Sequence, residues 1–166
     1  MHLARRAWCR TYQTVFRIAL PILPYTEPRI LEHAEDVPAV LQKRSIQKVL
    51  IVTDPGIARL GLTASLERAL TAQGIGVTVY AETRMNPTVS NVEEAASLYR
   101  ESACQAIIGF GGGSAMDCAK GVGARIAQPN KPINKMRGLL RVHRLLPLLI
   151  AVPTTAGTGS EVTLAA

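Results

Sequence analysis

The first residues with chemical potential are 109–120, Gly-Phe-Gly-Gly-Gly-Ser-Ala-Met-Asp-Cys-Ala-Lys. Glycines let a main chain approach a phosphate closely, and the opening N–H groups of a helix meet it with the positive end of the dipole. Ser114-x-x-Asp117 reads as that helix start, with serine as cap and the acid in the first turn. Strand, triple glycine and helix together make an anion cradle centred on Gly112, Gly113 and Ser114. Taken alone, the same loop describes a tight turn built of small residues. It also departs from two common fingerprints. Serine stands where the Rossmann pattern has its last glycine, no acid follows at the expected distance, and Lys120 lacks a P-loop setting.

A second set lies at 153–163, Pro-Thr-Thr-Ala-Gly-Thr-Gly-Ser-Glu-Val-Thr. The hydroxyls of Thr154, Thr155, Thr158 and Thr163 can bond ribose, pyrophosphate or amide groups. The glycines between them leave a surface flat enough for a planar ring. By itself this stretch also reads as a Thr-rich turn that satisfies its own backbone.

Alternating elements must hold these loops. A helical segment near Val37–Arg44 precedes Lys48–Thr53, a buried strand that ends at the Asp54-Pro55-Gly56 turn. Leu62–Ala72 places Leu62, Leu66, Ala69 and Leu70 on one helical face and stops at Gly74. Val77–Tyr80 is a second strand. After Asn86-Pro87-Thr88, the run Ser90–Glu93 predicts a capping box opening a helix to about Ser102. Gln105–Phe110, helix Ser114–Ala127 and strand Leu148–Val152 complete the series. The fold class is α/β, a Rossmann-like parallel sheet with flanking helices. In such a sheet ligands bind at the carboxyl ends of the strands, where Asp54, Asn86, the glycines and Pro153 onward all fall.

Composition narrows the function classes. The chain has 166 residues, 48% of them hydrophobic, enough for one domain with a core and too apolar for disorder. Cys9, Cys104 and Cys118 form no C-x-x-C pair, which argues against a disulfide framework or structural zinc and fits a reducing compartment. The longest apolar runs, such as Leu145–Val152, are too short to cross a bilayer. Charge is uneven. Up to Asp117, 12 basic residues face 11 acids; from Cys118 on, 7 basic residues face Glu161 alone. That basic run has no interleaved aromatics for base stacking, so a solvated face or the seat of an acidic segment is expected rather than nucleic acid. Residues 1–26 contain no acid and carry Arg5, Arg6, Arg10 and Arg17, as a transit peptide does. Thr14–Leu20 alternates like an edge strand, which favours an integral extension over 1–45 (edge strand and helix) before a dinucleotide-binding domain at 46–166.

Gly-Gly-Gly-Ser-x-x-Asp-x-Ala-Lys at 111–120, with Pro-Thr-Thr-Ala-Gly-Thr-Gly-Ser-Glu-Val-Thr at 153–163, resembles the iron-containing (group III) alcohol dehydrogenases. Thr53-Asp54-Pro55-Gly56 and Asn86-Pro87-Thr88-Val89 match the family pattern at the right spacing, so the resemblance runs from about residue 46 to the end. It implies a nucleotide-binding α/β domain followed by an all-helical domain that supplies a divalent metal. Asp54 is similar to the group bonding the adenosine ribose, with Asn86 beside it. Gly112, Gly113 and Ser114 resemble the pyrophosphate cradle. Asp117 resembles the residue near the nicotinamide, and Thr154, Thr155, Thr158 and Thr163 the cleft lining.

The sequence stops at Ala166, where a further strand is expected, and His2, His33 and His143 match no metal-ligand position. The expectation is therefore the NAD-binding portion of a metal-dependent dehydrogenase, truncated at its C-terminal end and inactive alone. It would carry no catalytic or metal-ligating residue of its own. NAD is the implied cofactor, NADP the alternative, with Fe(II) or Zn(II) and an alcohol or aldehyde substrate only in a full-length form. A homo-oligomer or self-associating fragment is expected, without nucleic-acid or membrane partners. The implied location is cytoplasmic, or mitochondrial if the basic N-terminus is a transit peptide. A glycerol dehydrogenase or dehydroquinate synthase-like fragment, and a non-catalytic nucleotide-binding module, remain alternatives.

Overall fold

The computed structural model describes Arg10 and residues 28–136, 141–142, 144–157 and 159–160. Two compact units divide the chain, Met1–Ile30 and Leu31–Ala166. The strand expected at 14–20 lies outside the described residues. The second unit opens with a 3-10 turn, Ala34–Asp36, and the short helix α1, Val37–Gln42. Then come β1 (Lys48–Val52), α2 (Pro55–Arg59), α3 (Ala64–Ala72), β2 (Gly76–Tyr80) and α4 (Val89–Glu101). The series ends with β3 (Ala106–Gly111), α5 (Gly113–Ala127), a 3-10 turn at Ile133–Lys135, and β4 (Leu148–Pro153).

The strands form one sheet in the order β2-β1-β3-β4. Every neighbouring pair is parallel, with Val49 opposite both Val77 and Ala106, and Gly111 opposite Pro153. The expected Rossmann-like α/β sheet is what the chain forms. Its central strands are apolar on both sides because both faces are covered. Leu50, Val52 and Ile107 pack beneath α4 and α5 with Val92, Ala95, Ala96, Cys118, Ala119 and Val122. Val49, Ile51, Ala106 and Ile108 pack on the other face against Val37, Leu41, Leu66 and Leu70. Alternation along β1 sends neighbouring residues to opposite layers. Among the described residues, no helix is long and apolar enough to cross a membrane.

Local boundaries differ from expectation where caps decide them. Asp54 is extended (φ −103°, ψ 161°) and its Oδ1 accepts from the N–H groups of Gly56 (2.8 Å) and Ile57 (3.0 Å). With Pro55 at the first helical position, the expected turn becomes the helix α2. The next helix accordingly starts at Ala64, and Leu62 is left exposed while Leu66 and Leu70 are buried. The capping box of α4 is Thr88 with Asn91, not Ser90 with Glu93. Thr88 is the last extended residue (φ −87°, ψ 165°), so its hydroxyl is the one that meets the Asn91 N–H at 3.3 Å.

Ile107 is fully buried in the middle of the sheet. Ile107→Ala is expected to cost about 2–5 kcal/mol, read as a lower urea midpoint with an unchanged slope. A second expectation concerns alkaline pH. Burial pushes the Cys118 thiol up to about 11, and burial likewise raises Cys104, Tyr99 and Tyr80. Each group holds its proton more tightly folded than unfolded, so their contribution is complete below the unfolded values and is lost as pH rises. Urea midpoints should therefore fall as pH climbs from the thiol's ordinary 9.0 toward about 11. Cys118→Ala should make that decline shallower.

Candidate functional site

After β1 the chain crosses through α2 and α3 to β2 on one side. From β2 it returns through α4, past β1, to β3 and then to β4 on the other side. The direction of winding therefore reverses between β1 and β3. A crevice opens at that point beyond the carboxyl ends of the strands. Asp54 follows β1 and Gly112 follows β3, so two predicted residues flank it.

Gly111 has φ +143°, a conformation that L side chains rarely adopt. A Cβ there would lie 3.0 Å from the Ala115 Cβ and 3.4 Å from Asp54 Oδ2. One carboxylate oxygen of Asp54 thus caps α2 while the other sits across the crevice, next to the glycine backbone. Gly112, not Ser114, is the last extended residue and caps α5 (φ −84°, ψ −170°). Ser114 therefore lies inside the first turn, and Asp117 is beyond it. The first helical bond runs from Met116 N–H to Gly112 O at 3.2 Å. The N–H groups ahead of it have no partner within the helix and point out of its positive end. A Cβ on Gly112 would come 3.3 Å from Thr155 Oγ1. Thr154 donates its N–H to Gly111 O at 2.9 Å, which carries the β3–β4 pairing one step past Pro153 and brings Thr155 over the loop.

The third piece of rim is the connection from β2 to α4. Asn86 sits there in the left-handed region (φ +57°) and its N–H meets Ser114 Oγ at 3.4 Å. Thr83 N–H bonds Thr53 O at 3.3 Å, and Thr53 N–H bonds Tyr80 O at 2.9 Å, so the connection also rests on β1. Asn86 occupies αL without a glycine because asparagine tolerates it better than most residues.

Asp54, Gly112, Gly113, Ser114 and Thr155 thus come together around one crevice, with Asn86 joined to it through Ser114. Asp117 stands further along α5, 3.8 Å from the Lys120 ammonium. Thr158 and Thr163 lie outside the described residues, as do His2 and His143. His33 is exposed. Among the described residues no three His, Cys, Asp or Glu side chains converge to hold a metal ion. An open cavity of about 390 Å³, lined by Gln128, Pro129, Asn130, Lys131 and Arg144, lies at the opposite end of α5 from the glycines. Its volume does not make it the site, since the free helical N–H groups and the Cβ-free gap are both at the rim.

Asn91 was not among the residues singled out from the sequence. It is 4% exposed and bonds both ends of the rim connection. The available signal was an amide three residues after Thr88, the spacing of a capping box with asparagine in place of Glu or Gln.

The family model described as iron-containing alcohol dehydrogenase matches residues 30–166. Over 122 residues the chain is 38% identical to the probable alcohol dehydrogenase EutG of Salmonella typhimurium, covering 74% of this chain and 31% of that protein. An alcohol dehydrogenase from Oenococcus oeni superposes with a TM-score of 0.73 at 35% identity, covering 78% of this chain and 34% of the other. A sulfoacetaldehyde reductase from Bifidobacterium kashiwanohense, solved in complex with NAD+, superposes with a TM-score of 0.70 at 29% identity, covering 84% and 38%. The chain spans about a third of the length of these relatives.

Gly112→Val would fill the gap beneath Thr155 without demanding a forbidden backbone angle. Loss of one charge-assisted hydrogen bond of about 1.5–3 kcal/mol should weaken pyrophosphate-bearing ligands roughly ten- to a hundredfold. Calorimetric titration of the variant and parent chains checks this, with thermal unfolding as the control for fold.

Proposed function

The chain belongs to the iron-containing alcohol dehydrogenase family, and on that premise we propose that residues 46–166 are the nicotinamide-dinucleotide-binding part of such an enzyme. One observation carries this. At the point where the sheet reverses its winding, a glycine backbone with no room for a Cβ faces a free carboxylate oxygen and the open N-terminus of a 15-residue helix. That cradle fits a pyrophosphate with a ribose beside it.

The N–H groups of Gly113 and Ser114 hold the pyrophosphate, which approaches closely because Gly112 has no side chain. Asp54 Oδ2 accepts from an adenosine ribose hydroxyl while Oδ1 keeps its cap on α2. Asn86 borders the same sugar. Thr154 and Thr155 line the cleft along which the cofactor extends, Thr158 and Thr163 are assigned to the same contacts by the family resemblance alone, and Asp117 stands toward its nicotinamide half. When bound, the nicotinamide supplies the hydride exchanged with an alcohol or aldehyde. On the described residues there is no donor set for iron or zinc, so these residues bind and orient the cofactor and are assigned no metal-assisted step. For residues 1–166 alone, NAD binding without alcohol turnover is the expected behaviour. The reduced, buried Cys104 and Cys118 fit a cytoplasmic setting. Exposed Leu145, Leu146 and Leu149 before and on β4 give a route to self-association.

NAD is the preferred dinucleotide, because a 2′-phosphate would meet the carboxylate of Asp54 with like charge. The chain should bind NADP at least about tenfold more weakly than NAD. Asp54→Asn keeps an oxygen for the α2 cap and should narrow that gap. Fluorescence titration with NADH and NADPH reads both affinities. An identical preference in the two proteins would remove Asp54 from this role, and no binding of either cofactor would remove the proposal.

A further inference from the structure

We propose that Asn91 is a positioning residue for the dinucleotide site, a clasp that holds the 82–88 connection against the glycine cradle and so presents Asn86 to the cofactor. This rests on the cofactor-binding function proposed for the rim.

The amide of Asn91 is buried and its hydrogen-bonding groups all have partners. Nδ2 donates to Glu82 O at 3.0 Å and to the Tyr80 hydroxyl at 3.0 Å. Oδ1 accepts from Thr88 N–H at 3.2 Å and from the Thr88 hydroxyl at 3.2 Å. Tyr80 in turn donates its O–H to Glu94 Oε2 at 2.8 Å, so its oxygen is left to accept from Asn91. The donor and acceptor ends of the amide are therefore not interchangeable.

Glu82 and Thr88 stand on either side of Asn86. One side chain thus fixes both ends of the segment whose middle residue is left-handed and touches Ser114. A left-handed non-glycine residue costs free energy and persists only where its surroundings hold it. Helix capping alone accounts for Oδ1, but not for Nδ2. The Nδ2 bonds leave the helix, one for the end of β2 and one for the connection itself. The clasp therefore does something for the rim that a cap need not do.

Two variants of the 166-residue chain separate the roles. Asn91→Ala removes clasp and cap together. Thr88→Ala removes the cap hydroxyl and leaves the Asn91 amide free to bridge Glu82 O and the residue-88 N–H. NAD affinity is measured by calorimetry, and amide hydrogen exchange is followed over 82–88 and over β3. The clasp requires NAD binding to weaken about tenfold in Asn91→Ala, with faster exchange over 82–88 and unchanged exchange in β3. Thr88→Ala should lower the melting temperature yet bind NAD within about twofold of the parent. Unchanged affinity in Asn91→Ala overturns the proposal, as does equal weakening in both variants, which would make Asn91 a helix cap only. If Asn91→Ala does not fold, the parent chain decides. NAD must slow exchange over 84–88, and binding without that protection overturns the clasp while leaving the dinucleotide site standing. A parent chain that binds no NAD fails at the earlier step and takes both down.

Discussion

The close approach of Gly111 to Asp54 and Ala115 sets the geometry of everything at the rim. With φ +143° and only 3.0 Å between a would-be Cβ and its neighbour, the chain there must be bare backbone. The turn it makes lets β3 run straight into α5 with no intervening loop. The helix therefore aims its unpaired N–H groups at the crevice rather than at solvent beside it. Because β1 and β3 are adjacent, the same turn brings the carboxylate that caps α2 within reach of the α5 cap. Two helix N-termini share one small space: that of α2 is capped by the Asp54 carboxylate, and that of α5 is left open.

The sheet that holds these two turns owes its rigidity to being covered on both faces. Val49 to Val52 are fully buried, alternately under α4 and α5 and against α1 and α3. A strand buried on both sides cannot slip by one residue without exchanging its two layers, so its register is fixed. That fixed register is what keeps Asp54 and Gly111 at the same height. At the rim, the connection from β2 is largely exposed apart from the buried Thr83, and polar contacts from Asn91, Thr53 and Ser114 hold it. It meets the cradle through the Asn86–Ser114 hydrogen bond at 3.4 Å.

The order of strands in the chain and the order in the sheet differ, and the difference decides which loops become neighbours. β1 is followed by β2 on one side, yet the glycines come after β3 on the other. A Rossmann fingerprint keeps its glycines and ribose acid on consecutive strands, with glycines first. Here Asp54 precedes the triple glycine by nearly sixty residues, and only the crossover past β1 makes them neighbours.

What the sequence by itself determined was the fold class, the four strands and the loops at their carboxyl ends. Runs such as Val49–Val52 and Ala106–Ile108 read as strands covered on both faces, and the turns after them carry Asp54 and the glycines. Local hydrogen-bond choices were less legible. Thr88 or Ser90, Gly112 or Ser114, are cap candidates that sequence rules treat as near equals, and the winner is whichever residue the preceding strand leaves extended. That depends on where the sheet ends, a tertiary fact. The pairing of Asp54 with Gly111, and the reach of Asn91 to Glu82 and Tyr80, were likewise decided only in three dimensions. They join residues that share no local period, and they exist because parallel strands bring the ends of distant segments to one edge.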